Sequence, residues 1–213
     1  MRPTDKIILT SLLIFLLLHP GCSQRPITER VLFDFESDSE LDRLSWKCHT
    51  LFALSEIHAT RGAHCLKMDL YPSSYPGVSF LLQTGDWSGY HSLGMDVFNP
   101  QGVALFLTIR IDDRLDYPDY PDRYSVSFSF NSGVNHFVLP LKNLVTAGGR
   151  RPLNLEQIYR FLIYMVDPVE KATFYLDNVR LIPQFCSPGL ARITHPCNFF
   201  LADGTHSPNL RGP

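Results

Sequence analysis

Phe174-Tyr175-Leu176-Asp177-Asn178-Val179-Arg180-Leu181 reads as a β-strand with a carboxylate in its middle. By the two-residue period of a strand, Tyr175, Asp177, Val179 and Leu181 share one face. Three of these are apolar, so Asp177 is expected to point toward a core. A matching segment, Phe33-Asp34-Phe35-Glu36, stands near the other end, with Val31, Phe33 and Phe35 alternating onto one face. If the first and last strands lie together, Asp34, Glu36 and Asp177 become neighbours. Such a cluster suits a Ca2+ ion, which takes several carboxylate and carbonyl oxygens. It suits equally a buried Asp hydrogen-bonded to backbone amides or to a nearby arginine.

Between these brackets lie runs of strand character at residues 46–54, 64–71, 77–82, 91–98, 103–111, 123–130, 134–139 and 160–166. Turn signals separate them: Ala59-Thr60-Arg61-Gly62, Thr84-Gly85-Asp86, Asn99-Pro100 and Asn131-Ser132-Gly133. The cleanest alternation sets Tyr124, Val126, Phe128 and Phe130 against Ser125, Ser127 and Ser129. One short helix is expected at 154–159, capped by Asn154. The pattern is that of an all-β domain, a jelly-roll β-sandwich of two antiparallel sheets with one short helix. It covers residues 30–183, after a linker at 23–29 and before a Pro-rich C-terminal tail at 184–213.

Residues 1–22 read as an export signal: Arg2 and Lys6 precede a twelve-residue apolar run from Ile7 to Leu18, too short to span a membrane. Gly21-Cys22 resembles the end of a bacterial lipoprotein signal, although His19 stands where a leucine is usual. Lipidation of Cys22 would tether the domain to a membrane surface; ordinary cleavage would secrete it. Of the other cysteines, Cys186 and Cys197 are expected to form a disulfide across a short loop. Hairpin register does not place Cys48 opposite Cys65, so their pairing stays open. The net charge of −2 gives no basic footprint for nucleic acid.

Two stretches carry candidate binding chemistry. Residues 110–124 hold five aspartates, three tyrosines and three arginines, including Arg110, Asp112, Asp113, Tyr117, Tyr120, Arg123 and Tyr124. Tyrosine rings stack on the apolar face of a sugar while Asp and Arg hydrogen-bond its hydroxyls. The alternative is a solvated loop whose charges pair among themselves. In Asp86-Trp87-Ser88-Gly89-Tyr90, Trp87 and Tyr90 make a stacking platform or, alternatively, a cap over the core edge. Enzyme signatures are weak: there is no Gly-x-Ser-x-Gly and no His-Glu-x-x-His, and the acids of 110–124 crowd one loop rather than face each other across a cleft.

Leu32-Phe33-Asp34-Phe35-Glu36, Leu54-Ser55-Glu56 with His58-Ala59-Thr60 and Gly62, Asp86-Trp87-Ser88-Gly89-Tyr90, Val97-Phe98-Asn99-Pro100 and the final strand together resemble a galactose-binding-domain-like β-sandwich. Carbohydrate-binding modules of bacterial glycan-processing systems are its best-known members. The resemblance implies a jelly roll without catalysis of its own, binding glycan or polysaccharide on a concave sheet or edge loops. Those surfaces would include Arg110, Asp112, Tyr117, Tyr120, Arg123 and Tyr124. It also implies a structural Ca2+ joining Glu36 to Asp177. The fold serves structural and protein-binding roles too, so an interaction module without a sugar site is the alternative.

Overall fold

The computed structural model describes residues 27–83 and 85–183. The expectations for the signal, Cys22, most of the linker, the tail and the Cys186–Cys197 disulfide lie outside these residues. Two antiparallel sheets form the domain, as the alternation requires. One runs β3 (Thr50–Ser55), β4 (Cys65–Leu70), β11 (Ala172–Pro183), β6 (Tyr90–Asn99), β9 (Gly133–Pro140), and β1 (Arg30–Phe33) also pairs with β11. The other runs β2 (Leu44–Cys48), β5 (Gly77–Phe80), β10 (Arg160–Tyr164), β7 (Leu105–Asp112), β8 (Tyr124–Phe130). First and last strands are thus adjacent, with Arg30 opposite Leu181.

The inner faces of both sheets supply one apolar core. Phe33, Phe80 and Phe161 form a ring column, each neighbouring pair of centroids 5.1 Å apart. All three are fully buried, and burying such a ring contributes about 1.5–3 kcal/mol.

Three local features depart from the sequence reading. The run 46–54 is two strands, not one. His49 adopts a left-handed φ of 41° between β2 and β3, which enter different sheets. Thr50 secures the corner by donating its hydroxyl to the Cys48 carbonyl at 2.6 Å and reaching the Gly77 carbonyl at 3.2 Å. Residues 154–159 form a turn rather than a helix, because the Asn154 side chain accepts the Glu156 amide and closes the chain early. The helical turns are 3-10 segments at Asp38–Arg43, capped by Ser37, and at Tyr120–Asp122.

The third departure concerns Asp177. Asn178 has φ 51°, and the pairing of β11 with β6 slips between Asp177 and Arg180. This bulge inverts the side-chain phase of the strand. Phe174 and Leu176 face the core before it, and Val179 and Leu181 after it. Asp177 therefore does not share the core face with Val179 and Leu181. It is buried on the opposite face, beneath the β3–β4 loop. Cys48 and Cys65 are both free thiols.

Candidate functional site

On β7, Leu105, Leu107, Ile109 and Ile111 enter the core, so Phe106, Thr108, Arg110 and Asp112 occupy the outer face of the five-stranded sheet. Register extends this face in rows. Arg160 on β10 stands opposite Asp112, Leu162 opposite Arg110, and Tyr164 opposite Thr108. On the other side of β7, Ser125, Ser127 and Ser129 of β8 stand opposite Arg110, Thr108 and Phe106. Gly77 of β5 lies beside Tyr164, and a Cβ there would collide with the Tyr164 backbone and side chain. The floor is a closely fitted polar surface: the Tyr164 hydroxyl lies 3.0 Å from Ser125 Oγ, and the Thr108 hydroxyl 2.7 Å from Ser127 Oγ. Exposed rings stand along it. Phe106 is 61% exposed and Tyr117 82%, while Tyr75, 51% exposed, meets Tyr164 edge-on at 5.9 Å.

Charge concentrates at one end. Arg110 grips Asp112 with two parallel bonds, Nε to Oδ1 at 2.8 Å and Nη2 to Oδ2 at 2.7 Å. Arg160 approaches the same carboxylate at 3.4 Å, donates to the Arg114 and Leu115 carbonyls, and lies 3.8 Å from the centroid of the Tyr117 ring. The strand pair thereby holds the loop that carries Tyr117. Beside it, Arg151 bridges Asp113 and Asp122, and the Asn154 amide adds a further bond to Asp113 at 2.7 Å. Burial pushes the Asp113 carboxyl up, but the Arg151 and Asn154 donors outweigh it and hold the group below the usual carboxylate range.

No protein-family model matches the chain, and no curated protein matches it. Solved structures do. A family 11 carbohydrate-binding module from Clostridium thermocellum, in complex with a beta-1,3-1,4-mixed-linked tetrasaccharide, superposes with a TM-score of 0.58 at 16% identity over 74% of this chain and 97% of its own. The fold is that of a carbohydrate-binding module. An exo-beta-agarase also matches, with a TM-score of 0.58 at 16% identity over 73% of this chain but 25% of the agarase. In the latter case the module-like sandwich corresponds to one part of a larger enzyme.

Within this module-like sandwich the expected binding residues separate. Arg110, Asp112 and Tyr117 converge on the five-stranded outer face, and Asp113 adjoins them within its ion pair. Tyr120 is exposed, with the Arg123 guanidinium 5.5 Å from its ring centroid. Tyr124 is not available for stacking. It belongs to the core, and burial pushes its phenol up to about 12. Nor does Trp87 offer a stacking platform: it is fully buried, edge-on to Phe161 at 6.3 Å, and caps the core. Tyr90 begins β6 in the other sheet, under Arg30. The sequence reading missed Phe106, Tyr75, Arg160 and Tyr164. The alternation of Arg160, Leu162 and Tyr164 against Phe161 and Ile163 was the signal for two of them.

The three bracketing carboxylates are tested for Ca2+ by their own bonding. Asp177 Oδ2 accepts the amides of Thr60 and Arg61 at 2.7 and 2.9 Å, and Oδ1 accepts the Asn178 amide at 2.6 Å. Glu36 takes the amides of Ala63 and His64, and these bonds hold its carboxyl below the usual range. Near Asp34, the Glu40 carboxylate receives the Asp34 and Phe35 amides. Asp177 also accepts the Thr60 hydroxyl at 3.0 Å, the Asp34 carboxylate lies beside that of Glu40, and among the described residues no group of three or more His, Cys, Asp or Glu side chains is gathered for a metal. The amide bonds leave the Asp177 and Glu36 carboxylates engaged without a cation. Asp177 and Glu36 fasten the middle and the end of the β3–β4 loop.

Proposed function

We propose that this protein binds polysaccharide non-covalently along the outer face of its five-stranded sheet. The observation that carries this reading is the row of polar side chains on β7, β8 and β10, set between the exposed rings of Phe106, Tyr75 and Tyr117. Successive strand residues advance about 3.3 Å, so the four-residue step from Thr108 to Asp112 spans roughly 13 Å, room for a short stretch of an extended chain. Rings stack on pyranose faces while the exposed Ser127 and Ser129 hydroxyls and the arginine edges bond sugar hydroxyls. The floor is cross-bonded through Thr108–Ser127 and Ser125–Tyr164, which limits the entropy lost on binding. The family 11 module with its mixed-linked tetrasaccharide makes extended β-linked glucans the first ligands to try.

The reading includes no catalysis, since Asp112 and Asp113 are each neutralised by arginines rather than poised as acid and base. Export, with or without a lipid on Cys22, rests on residues 1–22. The alternative, a protein-interaction module, draws on the near closure of the floor at Thr108, Leu162 and Tyr164.

Affinity electrophoresis of the purified protein against mixed-linked β-glucan, xylan and agarose decides between them. Retardation by at least one polymer is expected. Unretarded migration in all of them, together with silence on a broad glycan array, would leave the interaction module.

A further inference from the structure

The end of the floor near Arg110 carries one cation too many. Asp112 is fully buried and faces two guanidinium groups, Arg110 and Arg160, whose side chains are 14% and 15% exposed. The remaining neighbours in this face, Ser125, Leu162 and Ser79, are neutral. Asp113 and Asp122 are committed to Arg151 and Arg114. Asp116 and Asp119 are exposed, where solvent and salt screen them. Arg110 uses Nε and Nη2 on Asp112, which leaves its Nη1 without a hydrogen-bond partner among the described residues. A partly buried, unneutralised guanidinium edge is a receptor for a planar or tetrahedral anion.

Building on the polysaccharide reading, we propose that the preferred glycan carries an anionic group, a uronate carboxylate or a sulfate ester, bound at Arg110 Nη1 while the adjoining sugar ring lies against Tyr117. Arg160 supports this site by holding Tyr117 and by sharing Asp112, so that Arg110 is not fully neutralised.

The test uses matched pairs: xylan against glucuronoxylan for the carboxylate, and agarose against a sulfated galactan for the sulfate ester. Isothermal titration of the purified protein should show the anionic member of at least one pair binding about tenfold tighter, and which pair does so identifies the group. The preference should shrink as salt rises. R110Q should bring the ratio within the pair close to one. Should R110Q fail to fold, glucuronoxylan with its carboxyls chemically reduced, or the galactan after desulfation, reports the same difference on the unaltered protein. Equal binding within both pairs overturns the anionic preference and leaves polysaccharide binding standing. No binding by any polymer overturns both.

Discussion

Asp177 Oδ2 accepts the amide hydrogen of Thr60 at 2.7 Å across 117 positions of sequence. The same oxygen receives the Arg61 amide. Removing it leaves both donors, in a partly buried loop, without their acceptor, and each such loss costs about 1–3 kcal/mol. Asp177→Ala is therefore expected to lower stability by roughly 2–5 kcal/mol, read as a lower midpoint in urea unfolding with an unchanged slope. A variant as stable as the parent would show that the loop holds without the latch.

The latch has a pH signature. Thr60 Oγ1 lies 2.7 Å from Asp96 Oδ2 and 3.0 Å from Asp177 Oδ2, and one hydroxyl proton serves only one of them at a time. Burial pushes the Asp177 carboxyl above its ordinary value, more than its amide bonds pull it down. At Asp96 burial also pushes upward, but bonds from His136, Thr60 and Asn178 prevail and lower it. The folded chain thus holds the Asp177 proton more tightly than the unfolded chain does. That contribution to stability is complete below the unfolded value and is lost as pH rises through the folded one. Asp96 behaves oppositely, stabilising above the unfolded value and losing its effect as pH falls through its lowered one. Asp177→Asn should accordingly remove a loss of stability just above the ordinary carboxylate range, seen by denaturant titration at a series of pH values. Parallel curves for variant and parent would contradict this.

Chelation gives a direct measure of the bonding at these acids. With Asp177 and Glu36 filled by amides, excess EDTA is expected to leave Tm unchanged, and added Ca2+ to do the same. An ion bound at a hundredfold excess over Kd would contribute about 2.7 kcal/mol. A fall in Tm that Ca2+ restores would therefore be readily seen and would reverse the assignment.

Trp87 separates core from ligand surface. Because it lies fully buried against Phe161, Trp87→Ala should cost about 3–5 kcal/mol of stability. Trp87→Phe should recover most of it. Polysaccharide affinity, measured well below either melting point, should follow neither change.

Tyr117 should show the reverse. At 82% exposure it contributes little to the fold, so Tyr117→Ala is expected to alter stability by less than about 0.5 kcal/mol. Loss of the stacking ring should weaken polysaccharide binding by roughly 1 kcal/mol, about fivefold. Unaltered affinity in isothermal titration would remove the ring from the site.

How far the sequence foretells this molecule depends on how local each determinant is. The Ser125, Ser127 and Ser129 alternation set an outer face because a strand's period is two, and β8 shows it, with Ser127 and Ser129 exposed and Ser125 buried beside the Tyr164 hydroxyl. The bulge at Asn178 was not legible, since a left-handed asparagine inside an apolar run leaves the period looking intact while inverting its phase. Trp87, left between platform and core cap, and Tyr124, expected at the binding surface, share a related reason: whether an aromatic ring beside a turn faces water depends on partners far away in sequence, here Phe161 for Trp87. Arg160 and Arg151 fall into the same class, because their aspartates lie 29 to 48 residues earlier in the chain.

The place of β11 also imposes an order of events. It lies between β4 and β6, and β1 joins the sheet through it alone. It is also the final strand of the sandwich to be synthesised. Until it arrives, β4 and β6 have no common neighbour, β1 has no partner, and the Thr60 and Arg61 amides of the β3–β4 loop have no acceptor. Such distant pairings are slow to form. A chain leaving the ribosome thus remains an open half-sheet until its last strand is released, and then closes around that strand as an arch closes on its keystone.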